Sequence, residues 1–180
     1  MIALRRYDRE ITDLNEIEKI LEKAEILHLG LLDEGYPYVV PLHYGYELVD
    51  GKLTFYMHGA KQGHKLDLIK KNPHVFVELE CDVSQISGGD VPCKYGSSFA
   101  SIMGRGNAEI VEDVSVKIQG LKALMQNQTG KDFEITEKMT KIVSVIKVTM
   151  SDFTAKKEAD RNFIEALETL HFTRNRLGKF

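Results

Sequence analysis

Two lysines and two histidines fall within eight residues, in the run His58-Gly-Ala-Lys61-Gln-Gly-His64-Lys65. The apolar-rich residues 53–57 precede them as a strand, and Leu66, Leu68 and Ile69 follow as the start of a helix ending at Asn72-Pro73. The cations therefore collect where a helix begins. First-turn N–H groups are unpaired and already carry partial positive charge, so lysines there are poorly placed unless an anion joins them. A phosphate would turn that repulsion into a binding site, and Gly59 and Gly63 give the backbone freedom for its close approach. The competing reading is a solvated basic helix end, partly offset by Asp67. No Walker pattern surrounds the run, which excludes a P-loop.

His58 shares a strand face with Thr54 and Tyr56, whereas Leu53, Phe55 and Met57 take the other. It is either a rim histidine with a backbone partner or a donor to a ligand beside the anion site. Pro41 interrupts the extended run 36–49, which implies an edge strand or a bulge that leaves the backbone of Val40 and Leu42 free to meet a ligand. Tyr36, Tyr38, Tyr44 and Tyr46 would line a flat aromatic ligand or simply pack. Ser97 and Ser98 would donate to a phosphate or serve as loop residues. The six histidines are scattered without ligand spacing, so no metal site is expected, and Glu78 and Glu80 read as a solvated strand face. Nucleophile-elbow and dinucleotide fingerprints are absent.

The elements that must position these residues begin with a helix over 13–24, where Asp13 and Glu16 have capping-box spacing. Strands are expected at 26–32, 36–49, 53–58, 74–81, 99–111 and 142–149, with Asp50-Gly51 as a hairpin turn and residues 82–96 looping out. Glycines 104 and 106 suggest a bulge. Asp113 would cap a further helix, and Asp160 a short final one. Hairpins dominate and regular strand–helix alternation is missing. The fold class is therefore mainly β with peripheral helices, an antiparallel barrel.

The chain has 180 residues and a net charge of −3, so one domain is expected and broad binding to nucleic acid or a membrane surface is not. Cys81 and Cys93 lack a CxxC spacing, no signal-peptide pattern opens the chain, and apolar runs are short. A cytoplasmic protein with reduced thiols is expected.

Between about Arg5 and Lys156 the chain resembles the pyridoxamine-phosphate-oxidase-like FMN-binding split barrels, and within them the nitroimidazole-resistance flavoproteins. The resemblance rests on Arg5-Arg6, Asp8-Arg9-Glu10-Ile11, Gly35-Tyr-Pro-Tyr-Val-Val-Pro-Leu-His-Tyr-Gly-Tyr-Glu47, Phe55-Tyr-Met-His-Gly-Ala60, Gly63, Lys65, Asn72-Pro73 and Ser98-Phe-Ala-Ser-Ile-Met-Gly-Arg-Gly-Asn-Ala-Glu109. It implies a six-stranded antiparallel split β-barrel over residues 1–156, with 157–180 as a helical extension. It also implies a homodimer holding FMN at the subunit interface. Val40, Pro41 and Leu42 would face the flavin edge through backbone groups, and His58 would border the ring as the candidate catalytic residue. Ala60, Lys61, Gly63 and Lys65 would surround the phosphate, and Ser97 and Ser98 would reach the cofactor from the other strand. Relatives often carry Gly-Lys where this chain has Ala155-Lys156. The implied activity is reduction of a small, nitroaromatic-type substrate with a nicotinamide donor; the alternative is a flavin- or haem-binding carrier or sensor without turnover.

Overall fold

Eight strands form one antiparallel sheet in the computed structural model, which describes residues 5–158. They are β1 (Glu10–Ile11), β2 (Leu27–Asp33), β3 (Tyr36–Leu42), β4 (Gly45–Val49), β5 (Lys52–Gly59), β6 (His74–Ile86), β7 (Gly96–Ile110) and β8 (Ser144–Glu158). Helices α1 (Leu14–Lys23), α2 (His64–Lys71), α3 (Val114–Thr129) and α4 (Glu137–Thr140) surround it. The strands lie in the order β3-β2-β6-β7-β8-β5-β4, with the short β1 pairing β8.

Alternation along each strand sends one apolar set inward. Leu27 and Leu29 from β2, Phe55 and Met57 from β5, Val77 and Leu79 from β6, and Ile146 and Val148 from β8 meet in one buried cluster. Strands from both ends of the sheet share that core, so the sheet wraps around it. Among the described residues no ladder joins β3 to β4 or β5, and the wrapped sheet stays open along that seam. Ile17, Ile20 and Leu21 of α1 and Leu66, Leu68 and Ile69 of α2 join the same core. Each fully buried side chain of this size stabilises the fold by roughly 1.5–3 kcal/mol before entropy is counted.

The barrel of the expected class is present, with more strands than the sequence suggests. The run 36–49 breaks at His43-Tyr44, because Tyr44 is drawn inward. Its hydroxyl lies 2.8 Å from the Leu21 carbonyl oxygen and 3.0 Å from that of Ala24, beyond the end of α1. Its own carbonyl accepts from Asn127 Nδ2 and Gln128 Nε2 on α3. The stretch 82–96 does not loop out as a whole. β6 continues to Ile86 through a bulge between Cys81 and Ser84, where Asp82 adopts φ 55°. β8 outruns its expected end at 149 because β7 and β1 pair with it as far as Glu158, past a register shift at Arg105/Gly106.

Both expected N-caps form: Asp13 accepts from Asn15 N and Asp113 from Val116 N. Glu16 does not complete a capping box and instead pairs with Lys19. The helix expected after Asp160 lies outside the described residues.

α3 lies directly on β4 and β5, and two glycines permit the approach. A Cβ on Gly45 would stand 2.1 Å from the Leu124 backbone nitrogen, and one on Gly120 would stand 2.6 Å from Tyr56 Cδ1. This fixes β5, whose end carries His58 and Gly59.

Candidate functional site

β5 ends at Gly59, the segment Ala60-Lys61-Gln62-Gly63 turns, and α2 opens at His64. The helix therefore begins three residues later than Lys61, which stands exposed in the turn. Gly63 is the N-cap with φ 146°, a conformation that disfavours side chains, and no side chain caps the helix. The Leu66 and Asp67 amides bond to the Gly63 carbonyl oxygen. The start of α2 thus presents an uncapped positive end.

Lys65 is half-buried and folds back over the end of β5. A Cβ built on Gly59 would come within 3.2 Å of both Cε and Nζ of Lys65, so the missing side chain makes room for the ammonium. His64 plays a different part from the one its sequence position suggests. Its Nε2 lies 2.6 Å from Asp33 Oδ2, and its ring meets Tyr38 edge-on with centroids 5.1 Å apart. It ties α2 to the ends of β2 and β3. The sequence marks Tyr38 only as a tyrosine that would line a ligand or pack and gives Asp33 no such role, since only the tertiary fold brings them to His64.

β3, carrying Val40, Pro41 and Leu42, is an edge strand, as Pro41 implies. Pro41 pairs with His28 and Pro37 with Leu32. Proline has no N–H to give, so these are the non-hydrogen-bonded positions of the ladder, and Val40 and Leu42 spend their backbone groups on β2. The free edge then shows the carbonyls of Pro37, Val39 and Pro41 and, among these three, only the Val39 N–H. The side chains of Val40 and Leu42 pack against the core. His58 is exposed at the end of β5, opposite Val145 on β8.

Of the four tyrosines, Tyr44 is fully buried and Tyr46 packs on the core, its phenol pushed up to about 12 by burial. Tyr38 meets His64, and Tyr36 is largely exposed.

Ser97 and Ser98 lie at the other end of the barrel. They begin β7, whereas Gly59 sits beside the start of β8, near Ile110 at the end of β7. The separation along the strand is on the order of 40 Å. Ser98 Oγ lies 2.7 Å from Ser84 Oγ. Ser97 lines a cavity of about 1090 Å³ together with Arg9, Lys94, Phe99 and Glu158. This cavity is remote from Lys65 in the same chain.

Both cysteines are free, and no helix of the described residues is long and apolar enough to cross a membrane.

Solved structures share this fold. A candidate 5-nitroimidazole antibiotic resistance protein from Bacteroides thetaiotaomicron is 31% identical, with TM-score 0.69 over 82% of this chain and 86% of its own. A candidate pyridoxamine 5'-phosphate oxidase from Listeria innocua is 26% identical, with TM-score 0.51 over 79% of this chain and 98% of its own. A flavocytochrome from Azotobacter vinelandii has the same fold at 17% identity, with TM-score 0.69 over 87% of this chain and 72% of its own. No curated protein matches the chain. Residues 13–157 match the family described as pyridoxamine 5'-phosphate oxidase, and with that span and these neighbours the chain belongs to that family.

Proposed function

We propose that the chain is an FMN-binding oxidoreductase that reduces a small substrate of nitroaromatic type with electrons from a nicotinamide donor. The observation that carries this reading is the uncapped start of α2, with Lys65 laid over Gly59 and the neighbouring His64 against Tyr38 of the edge strand β3. A dianionic phosphate on a flat, mostly apolar ring suits that pairing of a basic helix end with an unpaired strand edge. The 31% identity to the candidate nitroimidazole resistance protein supports the substrate class.

In this reading Lys61 and Lys65 neutralise the phosphate, and Ala60 and Gly63 let backbone amides approach it. The edge of β3 around Val40, Pro41 and Leu42 meets the flavin rim, chiefly through the Pro41 carbonyl and the Val39 N–H. His58 borders the ring, where it orients a substrate oxygen or donates a hydrogen bond to it. Bound flavin supplies the redox chemistry, so the chain need not provide a nucleophile. Ser97 and Ser98 cannot reach Lys65 within one chain, which favours a homodimer in which a second copy brings them to the cofactor.

The purified protein should carry, or take up, FMN and show flavin absorbance; its absence after titration with FMN overturns the reading. Anaerobic mixing with NADH or NADPH should bleach the flavin, and a nitro compound should restore it. A bound flavin that stays unreduced favours the carrier or sensor instead, and a Soret band favours haem. Light scattering should give twice the chain mass.

A further inference from the structure

β2 and β6 hold an imidazole and two carboxylates together on the outer face of the barrel. His28 is the Cα partner of Glu78, and Glu80 follows two residues along the same face. Since the His28–Pro41 pair is non-hydrogen-bonded, His28 turns its backbone groups toward β6, and it exchanges both ladder bonds with Glu78. The backbone thus pins the two side chains opposite one another. His28 Nδ1 lies 3.1 Å from Glu78 Oε2 and 3.9 Å from Glu80 Oε2, and one ligand atom from each of the three residues lies within 4.8 Å of the others. Ligand atoms about 2.1 Å from a tetrahedral ion stand about 3.4 Å apart, so small side-chain movements close the set.

Two further observations distinguish this cluster from a solvated acidic strand. Among the described residues neither carboxylate pairs with a lysine or arginine, and the nearby Lys23 bonds Asp82 at 2.9 Å instead. Ser101 on β7 is the Cα partner of Glu80 and shares its face. By the same alternation this is a non-hydrogen-bonded pair, the kind whose side chains lie closest. Ser101 is only 3% exposed, and its Oγ has no hydrogen-bond partner among the described residues. A buried hydroxyl without a partner is costly, and one beside a carboxylate pair is placed to bond an oxygen held there.

We infer that His28, Glu78 and Glu80 bind a divalent first-row transition ion of the Zn²⁺ class, with Ser101 bonding a water on that ion. One nitrogen and two oxygens form a borderline donor set, and the two carboxylates balance the ion's charge. Three protein ligands leave a coordination position open to water. A groove of about 760 Å³ lined by Lys23, Glu25, His28 and Glu80 gives access from solvent. The histidine–carboxylate set is invisible to linear spacing because the ladder, not the helix or strand period, brings its members together.

The test uses the full chain without an affinity tag, stripped with a chelator, dialysed and free of flavin. Titration with Zn²⁺ by calorimetry, and with Co²⁺ by visible absorption, should give one saturable site per chain. His28→Ala and Glu78→Gln should each weaken it at least about tenfold, and Ser101→Ala by a smaller factor. Cys93→Ala and His74→Ala, remote from the cluster, should leave it unchanged. No saturable binding below about 1 mM overturns the inference. So does binding that both ligand variants leave intact, which places the ion elsewhere. Glu78→Gln conserves volume on a half-exposed strand face, and it decides the matter if His28→Ala does not fold.

Discussion

Lys65 rests its ammonium over Gly59: a Cβ at position 59 would stand 3.2 Å from both Cε and Nζ. The last residue of β5 is in effect the floor on which the first-turn lysine of α2 lies. Lys65→Ala should weaken FMN binding by roughly 1–3 kcal/mol, the scale of a charge-assisted hydrogen bond. Gly59→Ala moves the ammonium without removing it and should cost a smaller factor, at most about tenfold, or about 1.4 kcal/mol. Quenching of FMN fluorescence measures both, and unchanged affinity in Lys65→Ala removes that residue from the phosphate site.

His58 stands exposed at the strand end. His58→Ala should leave FMN affinity nearly unchanged and slow reoxidation of the reduced protein by a nitro compound by about a hundredfold or less, the lower range for a lost proton donor. Stopped-flow absorbance separates the two. A variant that loses the flavin but turns over normally when saturated with it assigns His58 to binding instead.

The contact of α3 with the sheet should be intolerant of a single methyl group. Alanine is the better helix former by about 1 kcal/mol, which favours Gly120→Ala. The new methyl, however, would press on the Tyr56 ring at 2.6 Å. Overpacking of that kind costs about 1–3 kcal/mol, so the net effect should be destabilising. Gly45→Ala should be worse, since it meets the backbone of α3 at 2.1 Å and no rotamer can relieve it. Urea midpoints would show the order, and a stabilised Gly120→Ala would mean that the helix can lift away freely.

Tyr44→Phe should cost about 1–3 kcal/mol by leaving buried carbonyls at the end of α1 without a donor. Thermal unfolding at neutral pH measures this. Burial pushes the Tyr44 phenol far above its ordinary range, so the hydroxyl stays protonated and the cost should not vary up to pH 9.

Glu78 gives stability a pH dependence of unusual sign. Burial, then the neighbouring Glu80, push its carboxyl up to about 6 against the opposing pull of His28. A carboxyl raised on folding binds more protons in the folded state, so its ionisation destabilises the fold above about pH 6. The penalty fades as pH falls toward its ordinary 4.5. With a chelator present, Glu78→Gln should therefore unfold at a higher temperature than the parent at pH 7.5, and the gap should close near pH 4.5. A gap that widens on acidification would show that the ionised form is the stabilising one.

Much of the architecture was readable because local rules and tertiary packing agree. Asp13 and Asp113 cap where short-range chemistry says they should, Pro41 marks an edge, and Gly104 and Gly106 flank a register shift. The readings failed where a distant partner decides. Nothing near Met150 or Ser151 predicts that β8 runs on to Glu158, since that length comes from pairing with β7 and β1. Tyr44 gives no local sign that it will break a strand to reach α1. At the site, the clustering of Lys61 and Lys65 was legible as a conflict between charge and helix polarity. The diversion of His64 to Asp33, and the meeting of His28 with Glu78, required the fold itself.

Pro37 and Pro41 have a consequence beyond the ligand. An edge strand with a full row of amides and carbonyls invites the strand of another molecule to zip onto it, which is a common beginning of aggregation. Here two of the three outward amide positions between 37 and 41 are proline, so an incoming strand would find acceptors with scarcely a donor between them. The barrel can thus keep its seam open without becoming sticky, and Pro41→Val would restore one of the two missing donors together with part of the hazard.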